Sequence, residues 1–205
     1  MTIKQTHFSR EFWNWFSATA EAIALNPHDP SLLAELDLQV ERLDPNLSWE
    51  IGPGLSKPWQ LVISPNLNRD LRDLAKSIVA ESPAVRDWEF HFARQPKKWD
   101  FKLKLEDPKG PGPIELDAST WKFLLLQYPD RKNEILLRRR GQPKLTKRQR
   151  KLAAAIVLES ILGEETLLDC VYDFQLVEEL EPRLSKRLRP IRRLRDAVRG
   201  VAKVN

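Results

Sequence analysis

Four side chains able to move protons or hold anions fall in two short segments. Glu50 lies in Trp49-Glu50-Ile51-Gly52-Pro53-Gly54, and Glu89, His91 and Arg94 lie in Trp88-Glu89-Phe90-His91-Phe92-Ala93-Arg94-Gln95-Pro96-Lys97. Strand alternation puts Glu89, His91 and Ala93 on one face and Trp88, Phe90 and Phe92 on the other. Glu50 alternates in the same way between Trp49 and Ile51. If strands 47–51 and 87–93 adjoin, two carboxylates and an imidazole converge beside Arg94. That grouping suits acid–base work, because a carboxylate orients an imidazole and raises its basicity. A solvated sheet face carrying an Arg–Glu pair explains the same alternation and assumes less. The expectation is therefore no catalytic set, with Glu50, Glu89, His91 and Arg94 as the candidates to inspect.

Other chemistries lack their residues. The sequence has no His-x-His, His-x3-His or cysteine pair, so no metal site and no cofactor are expected. Gly52-Pro53-Gly54 is followed by no Lys or Ser at P-loop spacing, and there is no GxGxxG. In Leu61-Val62-Ile63-Ser64-Pro65-Asn66, Ser64 lacks the glycine flanks of a nucleophile elbow. The single cysteine, Cys170, sits among Leu167, Leu168, Val171 and Tyr172, which predicts a buried, inert thiol.

A second group of residues could bind anions. Residues 138–151 hold eight Lys/Arg and no acid, and residues 183–203 hold nine against one acid, Asp196. The remainder of the chain carries 17 Lys/Arg and 28 Asp/Glu, so a net charge of +5 conceals a strong segregation. The candidate anion-binding residues are Arg138, Arg139, Arg140, Lys144, Lys147, Arg148, Arg192 and Arg193. Several stand at a helix start, where cations oppose the macrodipole by about 0.3–1 kcal/mol each. Either an external anion compensates, or the acidic runs Glu164-Glu165 and Glu178-Glu179-Glu181 do so from within. Neither basic segment contains an aromatic residue for base stacking, and no helix-turn-helix pattern is evident.

The elements that must position these residues follow from periodicity and breakers. Phe12, Trp15, Phe16, Ala20 and Ile23 predict a helix over 9–25, stopped by Asn26-Pro27; Pro30 opens a second to Leu43. Trp13 falls off the first stripe. Strands 47–51 and 59–64 form a hairpin with a loose Gly-Pro-Gly connection, and a helix spans 68–81. Strands at 87–93, 100–105, 114–118, 121–128 and 133–138 follow, the last two joined at Tyr128-Pro129-Asp130-Arg131; 107–113 is a proline-rich loop. Thr146 and Gln149 cap a helix over 146–162 that is apolar nearly all round and ends at Gly163. A strand near 171–177 and a basic helix from Pro190 to Val204, with Ile191, Leu194, Val198 and Val201 inward, complete the chain.

This order predicts an α+β fold. It comprises a single domain over 1–182, a mostly antiparallel sheet of about six strands with helices chiefly on one face, and a basic C-terminal helix over 183–205 packed on the same domain. No run of 18 apolar residues and no signal pattern is present, so a cytoplasmic protein that neither spans nor lies on a membrane is expected. The aromatic face Phe12-Trp13-Asn14-Trp15-Phe16 has no basic polar side and is expected to pack in the core.

The blocks Phe-Trp-x-Trp-Phe, Trp-Glu-Ile-Gly-Pro-Gly, Leu-Val-Ile-Ser-Pro-Asn and Trp-Glu-Phe-His-x-Ala-Arg-Gln-Pro-Lys, over residues 8–180, resemble those of small bacterial α+β proteins of unknown function. The resemblance implies a bacterial cytosolic protein and carries no activity or site; some similar small domains are immunity proteins that bind a toxin. The expected function is non-enzymatic: a protein-interaction or self-associating module. The alternatives are binding of nucleic acid or another anionic ligand through 138–151 and 183–203, or an acid–base enzyme site at Glu50, Glu89 and His91.

Overall fold

Four apolar residues of the first helix, Phe12, Phe16, Ala20 and Ile23, recur three to four positions apart and are all buried. They form the inner stripe of α1 (Ile3–Leu25). Trp13, beside that stripe, is buried as well, because its indole N–H donates to the Ile78 carbonyl at 2.8 Å. The computed structural model describes residues 3–106, 112–130, 132–141 and 143–202, with backbone only at 3–6, 201 and 202. Outside the described residues lie Asp107–Pro111 of the proline-rich loop, Arg131 of the Tyr128–Arg131 turn, and Lys203 and Val204 of the tail. The inward placement expected for the Val201 side chain also falls outside them.

The chain divides into two units, Met1–Arg94 and Gln95–Asn205. The first contains α1, α2 (Pro30–Leu43), β1 (Ser48–Pro53), β2 (Trp59–Ser64), α3 (Arg72–Ala80) and β3 (Trp88–His91). Asp29 caps α2 through its side chain, and Pro30 supplies the first-turn φ. β1 and β2 form an antiparallel hairpin; β2 and β3 run parallel because α3 carries the chain back across. One face of this three-stranded sheet presents Trp49, Ile51, Trp59, Leu61, Ile63, Trp88 and Phe90 to the core. There Phe16 meets Trp88 edge-on at 5.0 Å and Trp13 meets Phe90 at 4.8 Å.

The second unit has β4 (Lys102–Leu105) paired with β5 (Ile114–Asp117), and a separate sheet of β6 (Lys122–Gln127), β7 (Asn133–Arg138), β8 (Asp173–Val177) and β9 (Arg189–Pro190). Its helices are α4 (Lys147–Leu162), α5 (Glu164–Cys170), α6 (Pro182–Ser185) and α7 (Leu194–Ala202). The four-stranded order is β8-β7-β6-β9, with β7 and β8 parallel across the α4–α5 connection. Ala153, Ala154, Val157 and Leu158 bury the inner side of α4, which packs on β8 and β4. Leu152, however, is 45% exposed, so α4 is not apolar to all sides as its composition predicts. Ile191, Leu194 and Val198 are buried as expected.

The α+β class holds: among the described residues are seven helices and nine strands. The single sheet of about six strands does not, although four of the six described strand pairings are antiparallel as expected. Three sheets of three, two and four strands replace it. β1 with β2, β4 with β5 and β6 with β7 pair antiparallel with their sequence neighbours, whereas β5 and β6, only four residues apart, belong to different sheets; β2–β3 and β7–β8, each pair separated by helix, run parallel.

Thr146 and Gln149 form the expected capping box, Thr146 Oγ1 accepting from the Gln149 N–H at 3.2 Å and Gln149 Oε1 from the Thr146 N–H at 2.9 Å. Thr146→Ala is expected to lower stability by about 1 kcal/mol, read as a shifted urea midpoint with unchanged slope.

Candidate functional site

The polar face of the first sheet is built by register. Glu50 stands opposite Val62, and Val62 opposite His91; Gly52 stands opposite Gln60, and Gln60 opposite Glu89. Glu50 and His91 therefore share a face but lie two strands apart, roughly 10 Å by strand spacing. The face resolves into two pairs. Arg94 Nε lies 3.6 Å from Glu50 Oε2, while its terminal nitrogen donates to Ser48 Oγ at 2.8 Å. Glu89 Oε1 lies 3.1 Å from His91 Nε2.

Glu89 is the centre of a closed local structure. Asp87, at φ +65°, turns the chain into β3, and its carbonyl accepts from the Trp59 N–H at 3.0 Å. The Glu89 side chain then reaches the loop between β1 and β2. Its carboxylate accepts from the backbone N–H groups of Leu55, Ser56 (2.9 Å) and Lys57 (3.1 Å) and from the Ser56 hydroxyl. Three successive backbone donors converging on one anion form a nest of the kind that holds phosphates. Here the chain supplies its own anion.

Gly54 permits the approach. A Cβ there would collide with the Lys57 carbonyl oxygen and stand 3.0 Å from that of Trp59 and 3.1 Å from Glu89 Cδ. The Gly54 N–H donates to Pro58 O at 3.2 Å and closes the loop.

Burial alone pushes the Glu89 carboxyl up. The Ser56 hydroxyl, the Leu55 N–H, His91 and the Ser56 N–H outweigh it and hold the group well below the ordinary carboxylate range. Glu89 is ionised at neutral pH and poorly matched to take up or release a proton there. The order of contacts also opposes nucleophilic catalysis. The carboxylate stands between Ser56 and His91, whereas hydroxyl activation needs the imidazole between the other two. With side chains 11% and 24% exposed, Glu89 and His91 form a partly covered clasp on a loop.

The loop donors and Gly54 escaped the sequence reading, which took 52–58 as a loose connection. The only signal was the run Gly54-Leu55-Ser56-Lys57 itself, since backbone N–H groups leave no mark on residue type. Among the described residues, no group of three or more His, Cys, Asp or Glu could hold a metal ion. Cys170 is half-buried and not fully enclosed as predicted; burial, then Asp169, pushes its thiol up, away from reactivity.

The anion-binding candidates lie in the second unit. Arg138 ends β7, and Arg139 is 3% exposed, its guanidinium donating to the carbonyls of Pro143 at 2.7 Å and Gly141 at 3.0 Å. Arg138, Arg139, Arg140 and Gly141 line a concavity of about 410 Å³ with Glu178, Glu179, Leu180 and Ser185. Lys147, Arg150 and Lys151 line another of about 620 Å³ with the whole of β8 and Glu178. Lys144 and Arg148 are exposed and outside both linings.

The second basic segment splits. Ser185 reaches the arginine concavity, but Arg189 enters β9, at the far edge of the sheet from β8. Arg192 stacks over Phe101 at 5.4 Å, and Arg193 is exposed.

No described carboxylate forms an ion pair with Arg138, Arg139, Arg140, Lys144, Lys147, Arg148, Arg150 or Lys151, although Asp173, Glu178 and Glu179 line the same concavities. No described helix is long and apolar enough to cross a membrane. Comparison of the chain with family models, with curated proteins and with solved structures found no match.

Proposed function

We propose that this protein is a non-enzymatic interaction module whose contact surface is the basic margin of the second unit, and whose partner is an acidic protein. The observation that carries the reading is a set of cations around two adjoining concavities with no described carboxylate partner. These charges are unfavourable to the fold alone. Lys147, Arg148, Arg150 and Lys151 crowd the N-terminal turns of α4, where no acid offsets the helix dipole. Arg139 is buried against carbonyl oxygens alone among its described partners, and a buried charge without a counter-charge is destabilising. A bound carboxylate-bearing partner would relieve the exposed cations at the start of α4. The absence of aromatic residues in 138–151 and 183–203 favours a protein over single-stranded nucleic acid.

The state of Glu89 supports the non-enzymatic half of the reading. Its carboxylate is committed to a loop and ionised, and His91 has Glu89 as its described hydrogen-bond partner.

Retention on immobilised poly-glutamate tests the proposal. Elution is expected to depend steeply on salt, and the triple variant Arg140→Glu/Lys147→Glu/Lys151→Glu is expected to bind about 10–100-fold more weakly with an unchanged circular dichroism spectrum. Binding that is insensitive to salt, or unaltered in the folded triple variant, overturns it.

A further inference from the structure

The two margins of the four-stranded sheet are finished differently. β9 has two residues, the second a proline, so it offers little for another strand to bond. β8 runs five residues, Asp-Phe-Gln-Leu-Val, with no proline or lysine. Among the described strands it pairs with β7 alone.

Hydrogen bonding fixes which β8 groups face outward. The Arg139 N–H donates to the Val177 carbonyl at 3.2 Å, turning Val177, and by alternation Gln175 and Asp173, toward β7. Phe174 and Leu176 thus turn their backbone groups away from β7, Phe174 half-buried and Leu176 only 4% exposed. The Phe174 N–H is met by Asp173 Oδ1 at 2.8 Å. The Leu176 N–H and the Phe174 and Leu176 carbonyls have no partner there among the described residues.

This edge lies in the concavity of about 620 Å³ that also takes in Lys147, Arg150 and Lys151. The three cations recur at i, i+3 and i+4 and so share one side of α4. Arg150 donates to the Leu145 carbonyl at 2.9 Å, and no described carboxylate pairs with any of the three. Asp173 and Glu178 stand at the two ends of the strand and disfavour acids there.

We infer that β8 accepts an extended acidic segment of a partner protein as an added strand. The segment's backbone bonds Phe174 and Leu176, and carboxylates at alternate central positions face Lys147, Arg150 and Lys151. The inference rests on the interaction-module reading and names the partner chemistry for it. Main-chain bonding supplies affinity independent of side chains, while the cations select acidic side chains at period two.

The test uses the full chain and a labelled peptide of alternating Glu and Thr, followed by fluorescence anisotropy. Two twins carry N-methyl groups at one or the other set of alternate positions, which removes N–H donors from one side only and leaves charge intact. One twin is expected to lose at least about tenfold in affinity and the other to bind like the parent. Lys147→Glu/Lys151→Glu is expected to weaken the parent by about tenfold or more. Amide exchange at Phe174 and Leu176 is expected to slow in the complex. If both twins bind like the parent, strand addition is wrong while an anionic contact survives. If the peptide does not bind but poly-glutamate does, the edge is again excluded and the broader reading stands. If neither binds, both fail.

Discussion

Glu89→Ala lowers the unfolding free energy by about 2–4 kcal/mol, the largest loss expected from any polar substitution in the first unit. Three backbone N–H groups, the Ser56 hydroxyl and His91 lose one shared acceptor. Hydrogen bonds to an ionised group contribute about 1.5–3 kcal/mol each in sheltered sites. Leu55, Ser56 and Lys57 are exposed and can rebind water, so the sum of the individual bonds is not reached. Urea denaturation measures the change.

The pH dependence has a defined sign. The folded-state pKa of Glu89 is depressed below its ordinary value of 4.5. The clasp's contribution is therefore complete above that value and is lost progressively as pH falls below it toward the folded-state pKa. The stability gap between the native protein and Glu89→Gln is expected to be widest near neutrality and to narrow steadily under acid conditions. A gap that stays constant down to the acid limit would mean that the carboxylate's charge is not what holds the loop.

Gly54→Ala is the second large effect, at about 2–3 kcal/mol. The collision is with backbone carbonyls, which cannot swing aside as a side-chain tip can. Relief requires the loop to open, which breaks the Gly54–Pro58 bond and pulls the N–H groups away from Glu89. Gly52 is the control, because a Cβ there meets nothing within 4 Å. Gly52→Ala is expected to be neutral or stabilising by about 0.4–1 kcal/mol through the unfolded chain. Because Gly54 and Glu89 act on one loop, the double variant should lose less than the two single losses combined. Simple additivity in thermal or urea melts would show that the glycine and the carboxylate serve separate structures.

Particular residues show how far the sequence carried. The stripe Phe12, Phe16, Ala20 and Ile23, the Pro30 start, the Thr146–Gln149 box and the hairpin of β6 and β7 were all legible, because each rests on groups within a few residues of one another. Spacing, caps and turns are encoded in residue type. Alternation likewise separated Glu89 and His91 from Trp88 and Phe90 correctly, since a strand's two faces follow from backbone geometry alone.

The partition into three sheets was not legible. Whether β3 joins β2 or β4 depends on where α3 carries the chain, and neighbouring strand sequences do not record it. The fate of Glu89 was hidden for a related reason. Apart from His91, its partners lie more than 30 positions away and are chiefly backbone N–H groups, which every residue but proline possesses.

The segregation of charge was fixed by the amino-acid order. Folding decided which cations lack carboxylates: α4 and the end of β7 set Lys147, Lys151 and Arg139 around concavities whose acids stay beyond ion-pair reach. Sequence determines what each segment can become from bonds made within it. Only the tertiary structure decides which distant groups meet, because that choice belongs to the chain's path and not to any residue.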